Sequence, residues 1–140
     1  MTPEEEKVLE ANKNFYSAMQ SLSLEEMEAV WLPEEWVKCL HPGWDLLEGW
    51  EAVRESWQQI FENTKFMRIT MAVQSVQVEK PMAWVCCTER ISTAAEGRFE
   101  TAYVQATNIY KLQNGNWMLV HHHASHLPAP LNNQPAEVVQ

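Results

Sequence analysis

The stretch NGNWMLVHHHASH, Asn114 to His126, joins a hairpin signal to a run with the period of a β-strand. Asn114-Gly115 is a dipeptide that two-residue hairpins favour, because both residues tolerate positive φ. Residues 116–126 then read as a strand folding back on the one before it. Alternation puts His121, His123 and Ser125 on one face and His122, Ala124 and His126 on the other. A histidine pair at i, i+2 can chelate a metal, and His41 is available as a third ligand, but no acid or cysteine in the strand completes a set. No metal is expected. His121 and His123 are assigned to hydrogen bonding in a pocket wall or along the sheet, and His122 to subunit contact.

Upstream, the same period of two continues between turn signals. "EKP", "AAEG" and "QNGN" cut the second half of the chain into strands 67–79, 82–94, 98–112 and 116–126, an antiparallel meander. The first half is helical. "TPEE" offers Thr2 as N-cap, Pro3 at the first helical position and Glu5 to close a capping box, with Val8, Phe15, Met19 and Leu22 forming an apolar face. "SLEE", Ser23 with Glu26, starts a short helix through Trp31 that Pro33 closes. Trp36 to Leu40 reads as a short strand ended by Pro42-Gly43. From Gly49, "GWEAVRESWQQIFEN" is helical to about Asn63, with Val53, Trp57, Ile60 and Phe61 on one side.

Helices followed by a run of antiparallel strands define an α+β class: N-terminal helices packed on a strongly curved antiparallel sheet. One domain is expected over 1–127, with 128–140, proline-interrupted and polar, an extended or mobile tail. In strand 82–94, Ala83, Val85, Cys87 and Ile91 share one face and Met82, Trp84 and Cys86 the other. A sheet apolar on both faces needs cover on both. The helices supply one cover, and a second copy of the chain supplies the other, so a homodimer across the sheet is expected.

Composition excludes several classes. A net charge of −9 with no basic run disfavours nucleic acid and anionic membrane as partners. Cys39, Cys86 and Cys87 are odd in number and unpatterned, and they read as reduced thiols of a cytoplasmic protein. The acidic "MTPEEEKVLE" start is not a signal peptide, and no apolar run spans a bilayer. Cys86 and Cys87 have no activating base nearby in sequence. The only glycines, Gly43, Gly49, Gly97 and Gly115, build no phosphate loop, so no cofactor is expected. Seven tryptophans are mostly core or interface filler, and the others line a cavity for an apolar ligand.

Leu40-His41-Pro42, the helix segment Gly49 to Trp57 (GWEAVRESW), and Gly115-Asn116-Trp117 through Val120-His121-His122-His123-Ala124-Ser125 together resemble the SnoaL-like branch of the nuclear-transport-factor-2-like superfamily. That group includes polyketide cyclases, ketosteroid isomerases and the association domain of calmodulin-dependent kinase II. The resemblance covers residues 5–127. It implies a cone-like α+β barrel with a pocket between helices and sheet, and dimers across the convex face. It also implies roles. His41 stands where isomerase-like members place a carboxylate base, and a neutral imidazole can take that part. The isomerases' oxyanion tyrosine has Phe15 and Tyr16 as candidates. The late strand offers Asn108 and Ile109 with no acid, which argues against steroid-type isomerisation. Arg90 matches an arginine that holds a carboxylate in kinase-association pockets, with Glu89 the alternative occupant.

The site expected is therefore His41 as base with Arg90 and Tyr16 steering charge, and Trp44, Trp57, Trp84, His121 and His123 lining a ligand pocket. The leading functional reading is a pocket that binds a small, largely apolar or aromatic molecule, with no assigned reaction. One alternative is a cofactor-independent isomerase, cyclase or hydratase using His41 as general base. The other is an oligomerisation or assembly domain.

Overall fold

Thr2 accepts the Glu5 amide at 3.1 Å while the Glu5 carboxylate accepts the Thr2 amide at 2.9 Å, closing the capping box read from the sequence. The helix it starts, α1, runs Pro3–Gln20 and buries Val8, Asn12, Phe15, Tyr16, Ala18 and Met19. The computed structural model describes residues 1–128. The Ser23 hydroxyl caps α2, Leu24–Val30, at 3.1 Å from the Glu26 amide. A third helix, Trp50–Glu62, follows β1 (Lys38–Leu40) and β2 (Leu47–Glu48) and is α3. Its N-cap, Gly49, sits at φ 90°, where a Cβ would lie 3.3 Å from the Glu35 carbonyl oxygen, so this entry turn demands glycine. The two-residue β2 was not legible in the sequence.

The expected four-strand meander is present as β3 (Phe66–Glu79), β4 (Met82–Ala95), β5 (Arg98–Gln113) and β6 (Asn116–His126). The sheet order is β2-β1-β6-β5-β4-β3, with β1 parallel to β6 and the meander antiparallel. The helices pack on the inner face of this open, strongly curled sheet, α1 lying against β3, β4 and β6. No helix among the described residues is long and apolar enough to cross a membrane. Of the expected tail, residues 129–140 lie outside the described residues.

The inner face is built from Ala83, Val85 and Cys87 on β4, Val104, Ala106 and Tyr110 on β5, and Trp117 and Leu119 on β6, all buried. One irregularity decides which histidine joins them. Tyr110 pairs with Leu119 but Ile109 pairs with His121, so Val120 is an extra residue, a β-bulge. Counting by twos from Trp117 and Leu119 sends His121 and His123 inward. The bulge inverts that phase, and His122 and Ala124 are the buried pair while His121 is half-buried and His123 exposed.

Candidate functional site

Three polar residues sit in apolar register on the surfaces that meet inside the cone. Asn12 lies four residues after Val8 on the buried face of α1, Glu89 two after Cys87 on β4, and Asn108 between Ala106 and Tyr110 on β5. All three are buried. A buried polar group without a partner costs about 1–3 kcal/mol, so these groups bond to one another. The Asn108 amide donates to Asn12 Oδ1 at 2.9 Å and to the Tyr16 hydroxyl at 3.0 Å. Tyr110 also donates to Asn12 Oδ1, at 2.7 Å. The Tyr16 hydroxyl in turn donates to the Glu89 carboxyl and lies 3.2 Å from Cys87 Sγ. On the other side, Asn108 Oδ1 is 2.6 Å from His122 Nδ1. Since the Asn108 amide nitrogen is the donor to Asn12 and Tyr16, its oxygen accepts, and His122 carries its proton on Nδ1.

His41 occupies the next position. Its ring lies edge-on to Trp57 at 4.6 Å and to Trp44 at 4.8 Å, and 6.4 Å from the His122 ring. Ser56 on α3 donates its hydroxyl proton to the Val53 carbonyl at 2.7 Å, the back-bond that seats it mid-helix, and its oxygen is 2.9 Å from His41 Nε2. Ser56 therefore accepts from His41, whose proton sits on Nε2 and whose Nδ1 is the basic nitrogen. Trp57 Nε1, buried beside this ring, has no hydrogen-bond partner among the described residues.

Burial controls the ionisation of every member. Desolvation raises Glu89 from the ordinary 4.5 to about 7, against the opposing pull of the Tyr16 hydrogen bond. Desolvation lowers His41 from 6.5 to about 4. His122 is pushed well below its ordinary value by burial first and by the neighbouring histidines second. Burial pushes the Tyr16 and Tyr110 hydroxyls and the Cys39 thiol up, and takes Cys87 to about 12, so none is an anion near neutrality. What results near pH 7 is a carboxyl close to its titration midpoint, able to give a proton, beside two neutral imidazoles able to take one.

Of the residues singled out in the sequence, Tyr16, His41 and Trp57 are in this interior, and Trp44, 37% exposed, covers His41 from the rim. Arg90 is corrected: strand alternation puts it on the outer face, and Glu89 takes the inner place that was its alternative. Trp84, 38% exposed, is outside for the same reason. His121 and His123 are corrected by the Val120 bulge. They stand on the outer face with rings 6.1 Å apart, and His122, expected at a subunit contact, is interior. Tyr16 gains a partner that the late strand was not expected to supply, since the acid comes from β4. Arg54 pairs with Glu28 and so ties α3 to α2. Asn12 was missed, although a polar residue in apolar register was its visible signal.

Tyr16 and Met71 also line a crevice of about 340 Å³ between α1 and β3, with Lys13, Ser17, Gln20 and Ile69. Gln20 spans this seam, its side-chain oxygen accepting the Ile69 amide at 2.8 Å.

Comparison with known proteins gives the family. The family model of the SnoaL-like domain matches residues 8–130. A crystal structure of a candidate dehydratase of the nuclear-transport-factor-2-like family from Streptomyces avermitilis is 34% identical and superposes with a TM-score of 0.84, over 91% of this chain and 100% of that one. A candidate calcium/calmodulin-dependent protein kinase type II association domain from Thiobacillus denitrificans is 29% identical, with a TM-score of 0.75 over 84% of this chain and 92% of that one. The F-box protein SKIP8 of Arabidopsis thaliana is 28% identical over 118 residues, 84% of this chain. The match spans 48% of SKIP8, so the chain corresponds to about half of that protein.

Proposed function

The chain belongs to the SnoaL-like domain family, and from that premise we propose that its interior binds a small, largely apolar or aromatic carbonyl compound and moves a proton on it without a cofactor. The observation that carries this reading is the Tyr16–Glu89 pair, a buried acid with its hydroxyl partner, in the same interior as the neutral His41 and His122. In an isomerisation or dehydration of this kind, His41 Nδ1 takes the proton α to the carbonyl. A histidine lowered to about 4 has the basicity of an ordinary carboxylate, the strength such a step uses. Glu89 in its protonated form, held in place by the Tyr16 hydroxyl, donates a hydrogen bond to the oxygen that gains charge, or protonates a leaving hydroxyl so that it departs as water. Phe15 and Trp57 supply the apolar walls, and the unpaired Trp57 N–H is a further donor. The dehydratase description of the Streptomyces relative supports this class of reaction.

The test is hydrogen exchange. Incubation of 2-tetralone in deuterated buffer, followed by NMR, should show protein-dependent loss of its α-proton signals, abolished in His41→Ala and strongly slowed in Glu89→Gln. Exchange that survives both substitutions would remove these residues from the chemistry.

A second reading concerns assembly. The outer sheet face carries Met82, Trp84, Ile109 and Met118 in a cluster edged by Trp36, 43% exposed, over which Lys111 Nζ stands at 5.4 Å. A homodimer would bury this cluster, which is the support for this reading. Solution mass decides it: a monomer at micromolar concentration would overturn the dimer. The three cysteines are free thiols, which fits a reducing compartment, and we assign the chain to the cytoplasm.

A further inference from the structure

The outer face holds a second polar site, remote from the interior row and independent of the proton-transfer chemistry proposed there. Where β3 begins, β4 ends and β5 begins, Phe66, Arg68, Thr70, Arg90, Ser92 and Phe99 line a cleft of about 400 Å³. That volume is within the range of small-molecule sites. Two guanidinium groups share it in a chain of net charge −9. Neither has an ion-pair partner among the described residues. Glu89, the chain neighbour of Arg90, and Glu100 on β5 are both turned by alternation to the other face, where Glu89 bonds Tyr16 and Glu100 faces Arg98 at 3.8 Å. Arg90 Nε is moreover fully buried and has no hydrogen-bond partner. An unsatisfied buried guanidinium N–H is costly, and a surface so rich in acids could have offered it a carboxylate.

The apolar part is equally unpartnered. Phe66 and Phe99 are 46% and 69% exposed, their rings 6.3 Å apart and inclined at 30°. Both rings border the guanidinium pair, Phe99 keeping most of its surface in water and Phe66 nearly half. Ser92 and Thr101 hydroxyls, 3.1 Å apart, add donors and acceptors beside Arg90.

We propose that this cleft binds a small aromatic carboxylate, its anionic group forked by Arg90 and Arg68 and its ring packed against Phe66 and Phe99. A planar fork of N–H donors matches a carboxylate in bidentate fashion, and guanidinium groups and phenyl rings both stack on an aromatic face. The cleft is about 20 Å along β4 from the Trp84 cluster, at ~3.3 Å per residue, so its occupancy is separable from dimer formation.

Sodium 2-naphthoate is the probe, titrated into ¹⁵N-labelled full-length protein while the arginine Nε–Hε resonances are followed. Sodium phosphate and sodium chloride are titrated in parallel. The Arg90 resonance should shift with a Kd of about 1 mM or tighter. Binding should weaken at least about tenfold in Arg90→Gln and in Arg68→Gln, the loss of one charge-assisted fork, and stay unchanged in Arg54→Gln, which removes the same charge elsewhere. Arg68 is exposed, so its variant tests the site even where Arg90→Gln does not fold. Equal binding by Arg68→Gln and wild type would overturn the proposal. So would an equal response to phosphate, which would mean plain attraction of anions. An Arg90 resonance that responds only after the protein is diluted to monomers would show that a second copy, not a small acid, occupies the cleft.

Discussion

Asn108 and His122 face each other across β5 and β6, and the 2.6 Å bond between Asn108 Oδ1 and His122 Nδ1 exists because Val120 bulges out of the strand between them and the turn. Asn108 is the hub of the interior: it also donates to Asn12 and Tyr16. Replacing it with alanine leaves His122 Nδ1 without its acceptor and removes a donor from both Asn12 and Tyr16. Asn108→Ala should lower unfolding free energy by about 3 kcal/mol, at the upper end of ordinary substitutions. Denaturant titration at pH 7 measures it, and a loss below ~1 kcal/mol would mean that water replaces the hub.

The fold was readable in the sequence because helix caps, turn dipeptides and period are local signals, and they agree with one another from Thr2 to His126. The site was readable only in part. Trp57 falls on the helix face that apolar spacing assigns to the core, whereas Tyr16 and His41, both buried, were singled out only by the family resemblance, His41 lying just past the end of β1. His121 and His123 were misplaced because a bulge is one inserted residue, and NWMLV contains no glycine or proline to announce it. Arg90 was misplaced by one residue of register, which in a strand is a change of face. Asn12 and Glu89 were present as polar residues in apolar register, yet only the three-dimensional row shows why that is tolerated.

Glu89 should make the folded state less stable as pH rises. Its pKa is lifted from 4.5 to about 7, so between those values the folded protein holds a proton that the unfolded chain releases. Stability from this group is full below about 4.5, falls through that window, and is flat above it. Glu89→Gln stays neutral at every pH. The variant should therefore gain on wild type from pH 4.5 to 8 by up to roughly 3 kcal/mol, because each pH unit between the unfolded and folded values is worth about 1.4 kcal/mol. Melting temperatures of both proteins across this range check it, and parallel curves would mean that Glu89 ionises as an exposed carboxylate does.

His41 works with the opposite sign. Its pKa falls from 6.5 to about 4, so in that window the unfolded chain binds a proton that the folded protein refuses. Its contribution is complete above about 6.5 and is lost as pH falls toward 4, with His122 acting in the same direction. His41→Gln should thus lose its disadvantage progressively on acidification. The imidazole ¹⁵N shifts of wild type should show the proton on Nε2 at neutral pH and a titration midpoint about two pH units below that of a free histidine. A proton on Nδ1 would contradict the Ser56 bond as the anchor of this ring.

Tyr16→Phe isolates the acid pair. The phenyl ring keeps the packing of Tyr16 against Phe15, whose rings are 4.8 Å apart, and removes only the hydroxyl. That hydroxyl is the one group holding Glu89 down, since burial alone drives the carboxyl upward. Without it, the Glu89 midpoint should move above its wild-type position near 7, and the folded protein should lose about 1–2 kcal/mol from the missing bonds to Glu89 and Asn108. Carboxyl ¹³C shifts of Glu89 followed against pH in both proteins measure the first effect directly. An upward move also raises the fraction of Glu89 that is protonated at pH 7.5. A Tyr16→Phe variant that still exchanges the α-protons of 2-tetralone would then owe its activity to the carboxyl alone. A midpoint that stays in place or drops would show that Tyr16 and Glu89 are not bonded in solution, and the pair would cease to be the acid of the site.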